Sequence, residues 1–409
     1  MTQNEPYDRW DLVLLLYSLA GSALSLAGGI SVAIVGAIAY LSADLEGAQA
    51  AQWTASGLLT LAAAGVPALW LSARIVIKGE RPASGRPVKD WLRVGALFPV
   101  GLLLGFLAYE RGILSPLLGP VGQLLAIGTP AVLAVLLVRR AGPVVPLRRI
   151  WGHLLVGMWA VPVFALMLEG ITFLLGIVTT SAGLALVPGG RQLLSELQQL
   201  VSSIETQPSL EAVAEIALHP IAIVLIVTFL GILVPVIEEL AKTATIWPLL
   251  PRRISGGEAF LGGALGGTGF ALAEALFLAQ PGTGWVITAF ARAGATMMHA
   301  LATGIASWAL AEALIRRRWL QGAAGLGIAI FLHGLWNVSA IGIGLTQLAT
   351  SASFDLPSSM LESILSASAA TIVVLGFGAT WLLPRLQRRA EASQSTSPIG
   401  ETPENLAGR

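Results

Sequence analysis

Residues 235–244 read PVIEELAKTA, from Pro235 to Ala244. Before them comes IAIVLIVTFLGILV (221–234) and after them TIWPLL (245–250). Glu238, Glu239 and Lys242 therefore stand in the middle of a segment otherwise suited to lipid. A membrane span needs about 20 mostly apolar residues, and 220–250 supplies them. A charge at mid-bilayer costs about 2.5–3.5 kcal/mol even on a lenient scale, so such residues turn towards a protein interior and mark function. The stretch predicts a membrane helix whose charged face is covered by other helices.

The composition agrees. Hydrophobic residues make up 55% of the 409 and charged residues 11%, against about a quarter charged in soluble domains. The net charge of +1 leaves no basic field for nucleic acid, so no nucleic-acid partner is expected. Cysteine is absent, which excludes disulfides, iron–sulfur clusters, thiol catalysis and cysteine-bound zinc. The opening MTQNEPYDRWDL lacks the basic region and cleavage site of a signal peptide, so the first span is expected to be retained.

The fold class is all-α: a polytopic transmembrane helix bundle of about ten spans with both termini cytoplasmic. The spans fall near 11–41, 53–77, 92–110, 112–138, 152–180, 220–250, 259–280, 285–315, 320–345 and 358–384. The first is long enough to tilt or to kink at Gly28-Gly29. With the N-terminus inside, the inner segments collect the arginines and lysines around 74–93, 139–149, 252–253, 316–318 and 385–409, as the positive-inside rule requires. Of the 24 basic residues, only Arg111 and Arg191 fall outside, and Lys242 and Arg292 within spans.

Three regions follow. Residues 1–150 form a four-span N-terminal membrane region. Residues 151–384 form a helix bundle with a motif core at 230–340 and an outer amphipathic segment at 189–219, where Leu193, Leu194, Leu197 and Leu200 recur at helical spacing. Residues 385–409 are polar and read as a disordered cytoplasmic tail.

Spans six to nine concentrate ionisable residues. On span six, Lys242 lies about 40° round the helix from Glu238 and about 60° from Glu239, so its ammonium reaches either carboxylate. A packing ion pair uses only one glutamate; two adjacent carboxylates sharing one counter-ion suit a general base or a proton carrier. Span seven adds Glu274 within AFLGGALGGTGFALAEALFL, whose small-residue spacings allow close helix approach. Span eight carries Arg292, Thr296, His299 and Thr303 as one polar stripe. Span nine gives His333 and Asn337 one turn apart.

At about 1.5 Å per residue, Glu239, His299 and His333 lie roughly 20–25 Å from the inner boundary, and Glu274 roughly 25–30 Å. Four helices thus bring carboxylates and imidazoles to similar heights. His153 and His219 read as interfacial. Glu169, in span five, either pairs with Arg292 or faces the same cavity.

EELAK (238–242), GFALAEALF (269–277), RAGATMMHA (292–300) and FLHGLWN (331–337) follow one another on successive spans. In this order they resemble the PrsW family of intramembrane proteases, within the wider clan of CAAX prenyl endopeptidases. Its pattern is a Glu-Glu pair with a following basic residue, a Phe-x-x-x-Glu, a histidine, and a final His-x-x-x-Asn. The CAAX enzymes place an arginine one residue further on than Lys242, which points away from prenylated substrates.

The resemblance implies an intramembrane endopeptidase, in a bacterial cell membrane, acting on membrane or membrane-associated proteins; relatives cut regulatory membrane proteins such as anti-sigma factors. It implies catalytic roles for Glu238, Glu239, His299, His333 and Asn337, the glutamate pair activating water, with Lys242 and Arg292 in support. Glu274, His299 and His333 would make a His₂Glu set of the kind catalytic zinc accepts. A metal-free glutamate mechanism uses the same residue types, and both stay open. The competing class is a proton- or cation-coupled transporter using the same cluster, against which stands the lack of a matching inverted half in spans one to five.

Overall fold

The computed structural model describes residues 8–80, 91–206, 209–278, 284–353 and 358–395, and among them every regular element is helical. In chain order these are α1 (Arg9–Leu41), α2 (Leu45–Lys78), α3 (Arg93–Glu110), α4 (Ser115–Ala141), α5 (Leu147–Leu186), α6 (Gly190–Thr206), α7 (Leu210–Ala217), α8 (Pro220–Arg252), α9 (Gly256–Leu278), α10 (Trp285–Leu314), α11 (Trp319–Ser351) and α12 (Ser358–Ser395). All ten stretches expected to span are helices. In lipid no water is available for backbone N–H and C=O groups, so a helix is the only local way to satisfy them.

Eight helices among the described residues are long and apolar enough to cross a membrane. The two expected spans outside that set, α9 and α10, form the centre of the bundle. Residues 259–273 of α9 are buried without a break, and its glycines let neighbours approach on several sides. A Cβ at Gly263 or Gly267 would strike α10 at Thr303, Ser307 or His299. One at Gly266 would strike Thr245 at the end of α8, and one at Gly269 the backbone of Leu154 in α5. A helix with little side-chain bulk can be enclosed by three others and still make close contact.

The N-terminal helices share this core. Trp53, Tyr109 and Trp285 stack with ring centroids 5.2–5.3 Å apart, joining α2 and α3 to the start of α10. The same apolar cluster takes in Leu14 of α1, Leu155 and Met158 of α5 and Leu272 of α9. Arg148 on α5 ties back to Asp8 and Asp11 at 3.2 and 3.3 Å.

Two details depart from the sequence reading. Helix α12 continues through Ser395, past residue 384, because LQRRAEAS is built of good helix formers; residues 396–409 of the expected tail lie outside the described residues. Helix α1 runs unbroken through Gly28 and Gly29, where Gly28 and Gly29 sit against Leu58 and Leu59 of α2.

Helix α8 is not a uniform α-helix. A wide π turn at Phe229–Leu233 precedes Val234–Lys242, and a tight 3₁₀ stretch, Thr243–Arg252, follows. π turns occur often at functional sites, and this one lies directly before the glutamate pair.

Candidate active site

Glu238, Glu239 and Lys242 on α8, His299 and Thr303 on α10, and His333 on α11 are all buried. Lys242 is completely enclosed, and its Nζ lies 2.7 Å from Glu238 Oε2, 3.0 Å from Glu239 Oε1 and 2.8 Å from His299 Nδ1. It also stands 4.1 Å from the centre of the Phe270 ring, a favourable cation–π contact. The three protons of the ammonium are thereby matched to three acceptors.

Those bonds fix the histidine tautomers. Because the ammonium only donates, His299 Nδ1 accepts, which leaves Nε2 to donate to Glu274 Oε2 at 2.7 Å. His333 Nδ1 donates to Glu239 Oε1 at 2.9 Å, and its Nε2 faces Glu238 Oε2 at 3.7 Å. Each imidazole is thus pinned by a carboxylate through one nitrogen; the other nitrogen of His333 faces Glu238, and that of His299 meets Lys242. Carboxylate–histidine pairs of this kind orient metal-binding imidazoles. The two rings meet edge to face at 4.8 Å.

The adjacent glutamates differ in surroundings. Glu239 is fully enclosed, and besides Lys242 and His333 it accepts from Thr303 Oγ1 at 3.0 Å. Glu238 uses Oε2 for Lys242, while Oε1 enters none of these bonds and the side chain retains 8% exposure. A helix turns about 100° per residue, so the pair points in different directions: Glu239 towards α10 and α11, Glu238 towards the edge of the cluster.

The structure brings Glu238, His299 and His333 together, with one donor atom from each within 4.8 Å of the others. This differs from the sequence-derived set of Glu274, His299 and His333. Glu274 binds His299 from behind and has Arg292 at 3.4 Å on its other oxygen. Two imidazoles and a carboxylate are the donor types of a catalytic zinc site, and the residues present fit a divalent ion chemically.

Asn337 stands apart from the cluster: its Nδ2 donates to the carbonyl of Leu230 at 2.8 Å, a backbone oxygen in the π turn. Glu169 does not pair with Arg292; its Oε1 is buried without a hydrogen bond, within electrostatic reach of Glu238, Lys242 and Glu274. His153 is buried rather than interfacial, with Nδ1 2.9 Å from the Thr245 carbonyl, because α5 begins five residues earlier than its hydropathy suggests. His219 caps α8, accepting from the Ile221 N–H at 3.3 Å. Thr303 belongs to the cluster although the sequence marked it only as part of a polar stripe. A separate cavity of about 320 Å³ opens between α1, α5 and the end of α8, lined by residues including Trp10, Tyr17, Arg148 and Arg252; it contains none of the cluster.

An all-helical membrane bundle holding carboxylates and imidazoles at lipid depth has the make-up of an intramembrane peptidase. A model of the PrsW family of intramembrane metalloproteases matches residues 145–361, more than half of the chain, and the chain belongs to that family. The match takes in every residue of the cluster and both outer helices α6 and α7. No curated protein and no solved structure matches.

Proposed function

We propose that this intramembrane endopeptidase hydrolyses its substrates with Glu238 as the group that takes the proton from water. The observation that carries the reading is the grouping of Glu238 with two imidazoles, each pinned by its own carboxylate, one donor atom from each of the three lying within 4.8 Å of the others. Glu238 Oε1 receives the proton. Glu239 and Glu274 hold His333 and His299 in their tautomers, and Thr303 holds Glu239. Arg292 fixes Glu274. Asn337 secures the turn that aims the glutamate pair, a positioning role rather than the catalytic one that the resemblance implies.

Glu238, His299 and His333 are the residues that would hold the metal, and zinc suits them best. When bound, such an ion acidifies its water and polarises the scissile carbonyl. Fixed imidazoles and a dry, enclosed setting strengthen every polar contact made to the developing charge. Against a coupled carrier stands the family to which the chain belongs.

The substrate class is membrane-anchored protein, by analogy with relatives that cut regulatory membrane proteins, and the setting is a bacterial cell membrane with both termini in the cytoplasm. The basic residues gathered on the inner connections support that orientation. Residues 1–150 act as a packing partner for α9 and α10, supported by the shared aromatic cluster around Trp285.

The test is cleavage of single-span membrane proteins in proteoliposomes by wild type, Glu238→Gln and His333→Ala, with and without a chelator. Loss in both variants, together with loss on chelation and recovery with zinc, is the expected outcome. Cleavage indifferent to chelator would remove the metal from the reading, and cleavage surviving Glu238→Gln would remove the base.

A further inference from the structure

We infer that the Lys242 ammonium is the site's resident cation, occupying the position between Glu238 and His299 that a divalent ion requires, and that metal enters by displacing it. This rests on reading Glu238, His299 and His333 as metal donors.

Three observations converge. Lys242 Nζ lies 2.7 Å from Glu238 Oε2 and 2.8 Å from His299 Nδ1, the atoms that two of the three donors turn inward. A zinc ion bound there would sit about 2.0–2.2 Å from the same atoms, so ion and ammonium cannot share the place. The side chain is completely buried, with the face of Phe270 closing one side. Among the described residues, the other cation beside the cluster, Arg292, is engaged with Glu274 on the far side of His299.

Charge explains why a built-in cation is useful. Glu238, Glu239 and Glu274 bring three carboxylates to lipid depth, and a buried carboxylate without a counter-charge is heavily penalised. An ammonium on α8, one turn from both glutamates, supplies a counter-charge from within the same helix and leaves a folded apo form. Its flexible four-carbon stem can then withdraw where a fixed charge could not. The apparent affinity for metal is lowered by the fraction of molecules in which the lysine holds the site. Loading therefore becomes responsive to metal supply rather than permanent.

The experiment compares full-length wild type, Lys242→Met, Lys242→Gln and Lys242→Arg, purified in detergent and stripped of metal. Zinc affinity is measured by competition with a chromophoric chelator, and thermal unfolding is followed with and without zinc. Removing the competitor should tighten zinc binding roughly tenfold or more in Lys242→Met and Lys242→Gln, by the same population argument. Both should melt earlier than wild type when stripped and recover when zinc is added, whereas zinc should raise the melting temperature of wild type by less than it raises theirs. Lys242→Arg, which keeps the charge, should bind zinc no more tightly than wild type.

His299→Ala separates this idea from the reading beneath it. If that variant loses zinc while Lys242→Met and Lys242→Gln bind it no more tightly than wild type, the metal site stands and the displacement is wrong. If no form, wild type included, binds zinc stoichiometrically, the metal reading fails and the displacement with it. Should Lys242→Met fold poorly, the Lys242→Gln comparison carries the same decision.

Discussion

Gly267→Ala is the smallest change that should open the candidate site without replacing a polar side chain. Gly267 lies on α9 where α10 crosses. A Cβ added there would stand 2.8 Å from Thr303 Oγ1 and 2.9 Å from the carbonyl carbon of His299, and closer still to that carbonyl oxygen. Ordinary contact begins near 3.4 Å. The nearest obstacle is backbone, which cannot rotate aside, so the two helices must part by roughly 1 Å, an overpacking strain of about 1–3 kcal/mol. Thr303 donates to Glu239 at 3.0 Å, and His299 is held at 2.8 and 2.7 Å by Lys242 and Glu274. A shift of roughly 1 Å stretches these past useful hydrogen-bond length, and a misplacement of that size costs about 10²-fold in rate. The assay is initial cleavage rate in proteoliposomes, paired with thermal unfolding. Gly327→Ala is the control: it lies on α11, the helix of His333, with nothing within 4 Å of its added Cβ. If Gly267→Ala stays folded and cuts within twofold of wild type while Gly327→Ala does the same, the close contact of α9 and α10 does not set the site's geometry.

Glu238→Gln should abolish cleavage with little change in melting temperature, since the edge carboxylate makes one hydrogen bond. Glu239→Gln should abolish cleavage and also destabilise by about 1–3 kcal/mol, because its oxygens accept from three side chains in full burial; equal melting of the two variants would contradict the division of roles. Glu274→Gln, by loosening the tautomer of His299, should weaken zinc binding about 10–100-fold, read by chelator competition. Trp285→Ala should cost about 3–5 kcal/mol in thermal unfolding, and a negligible loss would show that the N-terminal helices do not brace α10. Asn337→Ala should lower the cleavage rate through α8, and an unchanged KM with a reduced kcat would fit a shifted glutamate pair.

The helices were legible because the bilayer leaves a chain so few alternatives. The ten apolar stretches lie on ten helices, eight of them long and apolar enough to cross a membrane. The ends were less legible. Helix α5 starts at Leu147 rather than near 152 because Arg148 pairs with Asp8 and Asp11, and Arg149 with Glu258 at 3.0 Å; partners from distant sequence make a basic turn part of the helix. Residue depth brought the right helices to one level; the structure adds that Glu238 lies with both imidazoles, while Glu274 bonds His299. Counting in from the inner boundary assumes a constant rise, which the 3₁₀ stretch Thr243–Arg252 breaks, and a π turn at Phe229–Leu233 lies beyond the glutamates. Nothing in FLGIL announces that turn. The reach of Asn337 to Leu230, over 107 residues of separation, is likewise invisible without the fold.

The turn also explains how two identical neighbours come to differ. On a regular helix Glu238 and Glu239 would still diverge by about 100°, but which of them met the histidines would follow from the register of 221–234 alone. The wide turn leaves a carbonyl free at Leu230, and Asn337 on α11 binds it. His333 lies one turn before Asn337 on that helix and bonds Glu239. One face of α11 therefore fixes α8 at two levels, first its backbone and then its inner glutamate. With Glu239 held in this way, Glu238 is left facing the edge with one oxygen committed to Lys242 and the other open. The asymmetry that the proposed reaction asks of the pair, one carboxylate to build the site and the other to react, thus arises from helix geometry and a single side-chain amide.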